Sequence, residues 1–355
     1  MTKFLSRTLL AAGLLCHALA VLAQVEYKIV TASERGTYIK IGRDLAQHIA
    51  PAAGIKLDAV PSAGSAENVR LLRSEPGVKL ALVQSDVYQS FLDVAAGGNQ
   101  AARSLIQPMR VILPLYNEEI YFIVRADSER NFIHEIKNAK INAGEVGSGT
   151  ALTSATLYRQ MFGESLPEAS VSYLGNEQAL ARLVTDKSID VVAVVAGQPA
   201  KLLVDMKPDS RKLIKLLKFD PKHPSSRTVL KTYFPAMVRA SHYPNLLTSD
   251  IPALAVKAFL ITYNFQDKNT ENNLRNMARS LCQNFSTLRE KGHPKWQEVD
   301  LALPSLGRGW FYYAPTTREL RSCIVSKPKS RRGDRVKAQP AKQCTQQEKL
   351  LGLCR

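Results

Sequence analysis

Cysteine, histidine and tryptophan are scarce, with 5, 6 and 2 copies in 355 residues. That scarcity excludes a small fold built from disulfides, and a chain that is 45% hydrophobic has apolar side chains enough for two ordinary domains. Catalytic signatures are missing as well. His48, His134, His223, His242 and His293 stand in no HExxH or other ligand spacing, and no GxSxG elbow occurs. Ser148, between Gly147 and Gly149, has no His/Asp arrangement tied to it, so the expectation is a protein that is not an enzyme, with no cofactor and no metal. Long apolar runs are confined to the first 23 residues. There, Lys3 and Arg7 precede an apolar stretch from Leu9 to Leu22, and Val21-Leu22-Ala23 ends it. The stretch falls short of the roughly 20 residues a spanning helix needs and is interrupted by His17, so it reads as a secretory signal cleaved after Ala23. Leu15 before Cys16 argues against lipidation, and a periplasmic location follows.

Acidic residues are in short supply too: 31 against 48 Lys and Arg, for a net charge of +17. The excess is unevenly spread. Residues 326–355 hold nine Lys or Arg against Asp334 and Glu348, a net of +7, whereas residues 24–325 carry +8. This tail, with Pro328 and Pro340 and few apolar residues, reads as a solvated segment suited to an anionic envelope surface. It lacks the interleaved aromatics that stack on bases, and nucleic acid is not expected in an exported protein. Four cysteines remain after cleavage, Cys282, Cys323, Cys344 and Cys354, an even number that reads as disulfides. Three pairings are open. The economical one joins Cys282 to Cys323 and Cys344 to Cys354; zinc is the rival, without a CxxC or a nearby His pair in its favour.

Short apolar runs alternate with helix-period segments, the pattern of an α/β fold with a mostly parallel sheet. Strands are predicted at 26–31, 55–60 and 79–83, each followed by a polar loop and a helix, the first with apolar positions Tyr38, Ile41, Leu45 and Ile49. The plan repeats with strands at 120–125, 141–143, 171–174 and 189–195, and with a helix presenting Ala151, Ala155, Tyr158 and Phe162 on one face. Two such lobes with facing loop edges enclose a cleft at the carboxyl ends of the strands. The glycine-rich stretch Gly144 to Thr150 fits neither a P-loop nor a dinucleotide fingerprint. It is left as a glycine loop at a helix N-terminus, which either takes an anion or is simply a helix start capped by Ser148 or Thr150. Arg125 could clamp a carboxylate, but Asp127 two residues on makes a structural ion pair an equal alternative.

Gly36-Thr37-Tyr38 with Ile41-Gly42, Gly64-Ser65-Ala66-Glu67-Asn68 and Ala81-Leu82-Val83-Gln84-Ser85-Asp86 resemble, in order, first-lobe motifs of TAXI-type solute-binding proteins of TRAP transporters. Val124-Arg125-Ala126-Asp127-Ser128, Gly147-Ser148-Gly149-Thr150 and Val194 to Pro199 resemble second-lobe motifs of the same family. The resemblance covers roughly 25–235 and weakens beyond, though Lys291-Gly292-His293-Pro294 is similar to the family's C-terminal helix region. It implies a type II periplasmic binding protein fold: two α/β lobes, a hinge, and closure around a small anionic solute, a glutamate-like amino acid or another organic acid, delivered to a TRAP-type membrane permease. The expected organisation is a signal at 1–23, a first lobe at 24–119, a second lobe at 120–232, a return to the first lobe at 233–325 and a tail at 326–355. The implied ligand contacts are Ser33, Thr37 and Tyr38, then Ser65 and Asn68, then Gln84 and Ser85 from the first lobe. Ser148, Gly149 and Thr150 face them, and Gly197 and Gln198 close the site. A sensor or envelope partner no longer coupled to a transporter is the alternative that the diverged region after 236 would fit.

Overall fold

The computed structural model of the protein describes residues 24–307 and 309–326. The expected signal segment and the cysteines Cys344 and Cys354 lie outside the described residues.

Strands β1 (Val25–Val30), β2 (Ile55–Val60) and β3 (Val78–Gln84) run parallel, with Val25 opposite Ile55 and Val30 opposite Val60. Parallel strands are covered on both faces, which is why consecutive residues Ile29 and Val30, or Leu82 and Val83, are all buried. Each strand feeds a helix: α1 (Thr37–His48), α2 (Ser65–Ser74) and α3 (Val87–Ala96), the last followed by α4 (Gln100–Ile106). In α1, Tyr38, Ile41 and Leu45 are spaced for one helical face and are buried.

The long strand β4 (Met109–Arg125) then carries the chain across. Beyond it come β5 (Ile141–Asn142), α5 (Gly149–Phe162), β6 (Val171–Ser172), α6 (Asn176–Val184) and β7 (Val191–Ala196). The short helices α7 (Lys201–Val204) and α8 (Pro208–Arg211), strand β8 (Ile214–Leu216), helix α9 (Ser226–Val229) and strand β9 (Phe234–Val238) follow. A second long strand, β10 (Ile251–Tyr263), returns antiparallel to β4 and leads into α10 (Lys268–Lys291) and α11 (Ala314–Ser326). Asp267 caps α10, accepting from Thr270 N at 2.8 Å.

All strands belong to one sheet whose main order is β2-β1-β3-β10-β4-β7-β5-β6. It is continuous because β4 and β10 pass through both lobes. Their outer stretches pair Met109 with Tyr263 in the first lobe and Ile120 with Leu254 in the second. Each lobe has two cores, one per face of the sheet. Ile120, Phe122 and Val124 point into one second-lobe core and Tyr121 and Ile123 into the other, the two-residue period of a strand read directly. This is the two-lobe α/β arrangement expected from the sequence, but the sheet is mixed where a mostly parallel one was expected: β4 and β10 run antiparallel to every strand they pair with, because they carry the chain from lobe to lobe in opposite directions. Two boundaries differ. β4 starts at Met109, not at Ile120, because Pro114 and the polar run Asn117-Glu118-Glu119 sit inside it where the strand crosses between lobes. Past 233, β9 still pairs on the second-lobe half of β10, Val238 opposite Ile251, so the return runs along β10 itself.

Cys282 on α10 is bonded to Cys323 on α11, with the Cα atoms 5.9 Å apart, tying the last helix to the first lobe. Arg125 stands at the far end of β4, paired with Asp127 at 3.3 Å and donating to Ile189 O at 3.2 Å, the structural role among the two expected for it.

Candidate functional site

The ends of β1 and β3 and the starts of α1 and α2 form one wall of a cleft of about 820 Å³. Gln84 closes β3, and its backbone N–H donates to Ser65 Oγ at 3.1 Å. Tyr38, buried in the first turn of α1, donates its hydroxyl to Glu118 Oε2 at 2.7 Å. The opposite wall is the loop from Gly144 into α5. Gly144 and Gly147 have φ of +94° and +88°, in the left-handed region that favours glycine. Ser148 caps α5, its Oγ accepting from Ala151 N at 3.0 Å, and Thr150 Oγ1 accepts from Val195 N at 3.2 Å.

The lobes meet beside this cleft. Glu67 N donates to Gly147 O at 3.1 Å, and a Cβ placed on Gly149 would lie 2.0 Å from Gln84 Oε1, so only glycine lets α5 come this near to β3. A polar seam continues along α5. Thr153 Oγ1 and Tyr233 OH donate to Asp86 Oδ2 at 2.7 and 2.9 Å, and Ser90 and Thr156 share a hydrogen bond of 3.0 Å. Arg159 pairs with Asp93. At the rim Arg35 of the first lobe meets Glu177 of α6 at 2.6 Å, both exposed. The seam changes which face of α5 is buried: Thr153, Thr156, Leu157 and Tyr158 are covered, whereas Ala155, expected on the apolar face, is exposed.

Eight of the twelve residues singled out from sequence line the cleft: Ser33, Thr37, Tyr38, Ser65, Gln84, Ser148, Gly149 and Thr150. The other four stand behind its walls. Asn68 is wholly buried and donates through Nδ2 to Thr31 O and Leu82 O at 2.5 and 2.7 Å, tying β1 to β3. Ser85 donates from N to Lys257 O at 2.8 Å and accepts from Trp310 Nε1 at 2.9 Å. Gln198 donates from both N and Nε2 to Glu119, at 2.8 Å each, and a Cβ on Gly197 would lie 2.7 Å from Lys295 Cε. Those two residues pack the crossing strand, not the cleft.

Sequence patterns did not single out Glu118 as a cleft residue. Its carboxyl faces the floor, 4% exposed, and burial pushes it up to about 7 although the Tyr38 hydroxyl and the Lys295 cation favour the ionised form. His293 also lines the cleft. Burial, aided by the Lys40 cation, lowers its imidazole to about 4, and its Nδ1 accepts from Lys295 N at 3.2 Å. Asp44 of α1 holds this segment by accepting from His293 N at 2.7 Å and Trp296 Nε1 at 2.8 Å. Lys295, 1% exposed, reaches Glu298 at 2.7 Å and Glu119 at 3.7 Å. The only signal in sequence was the acidic pair Glu118-Glu119 ahead of a strongly apolar strand.

The profile of the NMT1-like family matches residues 29–305. The chain belongs to the NMT1-like family. That span takes in both lobes and the whole cleft and ends before α11. Among solved structures, XAC2383 from Xanthomonas citri bound to ATP is similar at 13% identity and a TM-score of 0.45, over 84% of this chain and 98% of that one. The periplasmic binding protein BugD is similar at 14% identity and a TM-score of 0.46, over 85% and 95%. The Candida albicans CA3427 product, described as having the generic periplasmic binding protein fold, is similar at 14% identity and a TM-score of 0.45, over 84% and 90%. In this NMT1-like chain the cleft combines hydroxyls, amides and helix ends from two lobes.

Proposed function

We propose that this NMT1-like protein is a periplasmic solute-binding protein of the TAXI type, which captures a small carboxylate in its cleft and presents it to a TRAP-type permease. The observation that carries the reading is the set of donors converging at the start of α5. The N–H groups of Gly149 and Thr150 belong to the first turn, which has no intrahelical acceptors, and the helix end is electropositive. Around them, Ser65, Ser148 and Thr150 each use the hydroxyl oxygen to accept a backbone N–H, which fixes the oxygen and leaves the O–H to donate. A carboxylate, an acceptor of several hydrogen bonds, matches that arrangement; a cation does not. Glu118 at the floor suits the ammonium of a glutamate-like amino acid when ionised, or donates to an organic acid when protonated. Hydrogen bonds without full charge neutralisation favour reversible capture over permanent retention.

Native mass spectrometry of the purified protein identifies the carried solute, and calorimetry with that solute tests the site. Thr150→Ala combined with Ser65→Ala removes two donors to a charged group and is expected to weaken binding about a hundredfold, at about 1.5 kcal/mol per bond. Circular dichroism should show both lobes still folded. Unchanged affinity overturns the assignment of the site.

A further inference from the structure

The cleft has a second, apolar end that the head-group donors leave unused. On α6 the residues Glu177, Leu180, Ala181 and Val184 recur at the spacing of one helical face, and all of them line the cleft. Leu180 is also buried in the second-lobe core together with Ala179 and Leu183, so the stripe is the margin where that core reaches the cleft. Leu202 and Met206, both partly buried, line the cleft as well, as do the buried Val194 of β7 and Ile214 of β8, and all four belong to or pack on the same core as α6. The Lys201–Asp205 ion pair marks the rim. The cleft wall here is the open edge of a hydrophobic core, continuous with the polar end at Thr150 and Val195.

Size points the same way. At about 820 Å³ the cleft is at the large end of small-molecule sites, which bury most of a drug-sized ligand against apolar walls with a few polar groups fixing its orientation. A four- or five-carbon acid held at the start of α5 leaves the apolar end in water, where its surface has no reason to be shaped into a pocket.

We infer that the cleft takes an amphipathic carboxylate, whose charged head is held at the start of α5 and whose aliphatic or aryl arm lies between α6 and Met206. The inference rests on the carboxylate reading given above. The arm is recognised by burial alone, so affinity follows its apolar length and is indifferent to hydrogen-bonding pattern along it.

Calorimetry on the full chain with the straight-chain series butyrate, hexanoate and octanoate, each beside its primary amide and beside L-glutamate, tests head and arm separately. The expected result is a rise in carboxylate affinity of about fourfold per added methylene, the equivalent of ~0.8 kcal/mol, with the amides much weaker at every length. Met206→Gln and, as an independent variant, Val184→Thr should flatten the length dependence. If glutamate and butyrate bind but affinity does not grow with length, the arm is overturned and the carboxylate reading stands. If amides and carboxylates rise together, the head is overturned. Absence of binding across both series overturns both.

Discussion

The two lobes have the same strand plan but bring different chemistry to the cleft. The first lobe offers side chains already bonded within it: Tyr38 to the Glu118 carboxyl and Ser65 Oγ to the Gln84 backbone N–H, with Asn68 behind them tying β1 to β3. The second lobe offers backbone and shape: a glycine loop, two helix starts and the apolar stripe of α6. A wall of prepaired polar groups loses little freedom when a solute arrives, since its rotamers are already fixed. A glycine wall has no side chains to interpose and can approach until backbone meets side chain, as Gly149 does at Gln84. The contrast sets bonded side chains of one lobe against the helix-start N–H groups and hydroxyls of the other.

The covalent tie is also one-sided among the described residues. The Cys282–Cys323 bond joins α10 and α11 in the first lobe, closing a loop of sequence separation 41. Replacing both cysteines by alanine is expected to cost about 4 kcal/mol on loop-closure grounds. Hydrogen exchange should show α10 losing protection while β7 keeps it. Equal loss in β7 would mean that the lobes unfold as one unit and would erase the contrast.

A smaller effect belongs to the seam between lobes. Burial raises Asp86 to about 6 from the ordinary 3.8, and its partners Thr153 and Tyr233 come from the second lobe. A carboxyl raised in the folded state binds its proton more tightly than the unfolded chain does, so its contribution is most favourable below pH 3.8 and declines as the pH rises to about 6. The decline amounts to about 3 kcal/mol. Relative to the wild type, Asp86→Asn should gain stability across that window in thermal melts, since the amide carries no charge to bury. A constant difference between the two melting profiles from pH 4 to pH 7 would show that Asp86 does not titrate in the seam.

The smallest effect is expected at the rim. Arg35 and Glu177 are 80% and 62% exposed, and exposed pairs are worth about 0–1 kcal/mol. Arg35→Ala should change solute affinity less than fivefold by calorimetry, and the change should vanish in high salt. A larger, salt-independent loss would move Arg35 from the rim into the site.

Much of the first lobe was legible because its strands are short apolar or alternating runs bounded by short polar loops: β2, an edge strand with Lys56 and Asp58 exposed between and beyond the buried Ile55 and Leu57, runs from Ile55 to Val60 as read from sequence. Helix α5 was placed correctly, but its buried face was not, because Thr153 and Thr156 are buried by polar contacts to Asp86 and Ser90 of the other lobe, and hydrophobic period carries no trace of those. The early half of β4 was missed for a related reason. Glu118 and Glu119 look like a loop in one dimension and become strand residues only because Tyr38, Gln198 and Lys295 arrive from distant segments to satisfy them. Motif positions in the loops were informative to the degree that a loop faces the cleft; Asn68 and Gln198 occupy motif positions yet serve the scaffold.

The ladder between β4 and β10 slips where the chain passes from lobe to lobe: Lys257 faces Asn117, but two residues on Phe259 faces Pro114, three residues back. A bulge of this kind leaves rungs unmade and increases local twist, and Pro114 has no N–H to contribute. The ladder slips a second time between Leu260 and Ile261, so torsion between the lobes can be absorbed along β4 from Val111 to Asn117. The sheet is then a ribbon with its compliant stretch where the two long strands cross between lobes, and a change in the angle between the cleft walls would require no loop to refold.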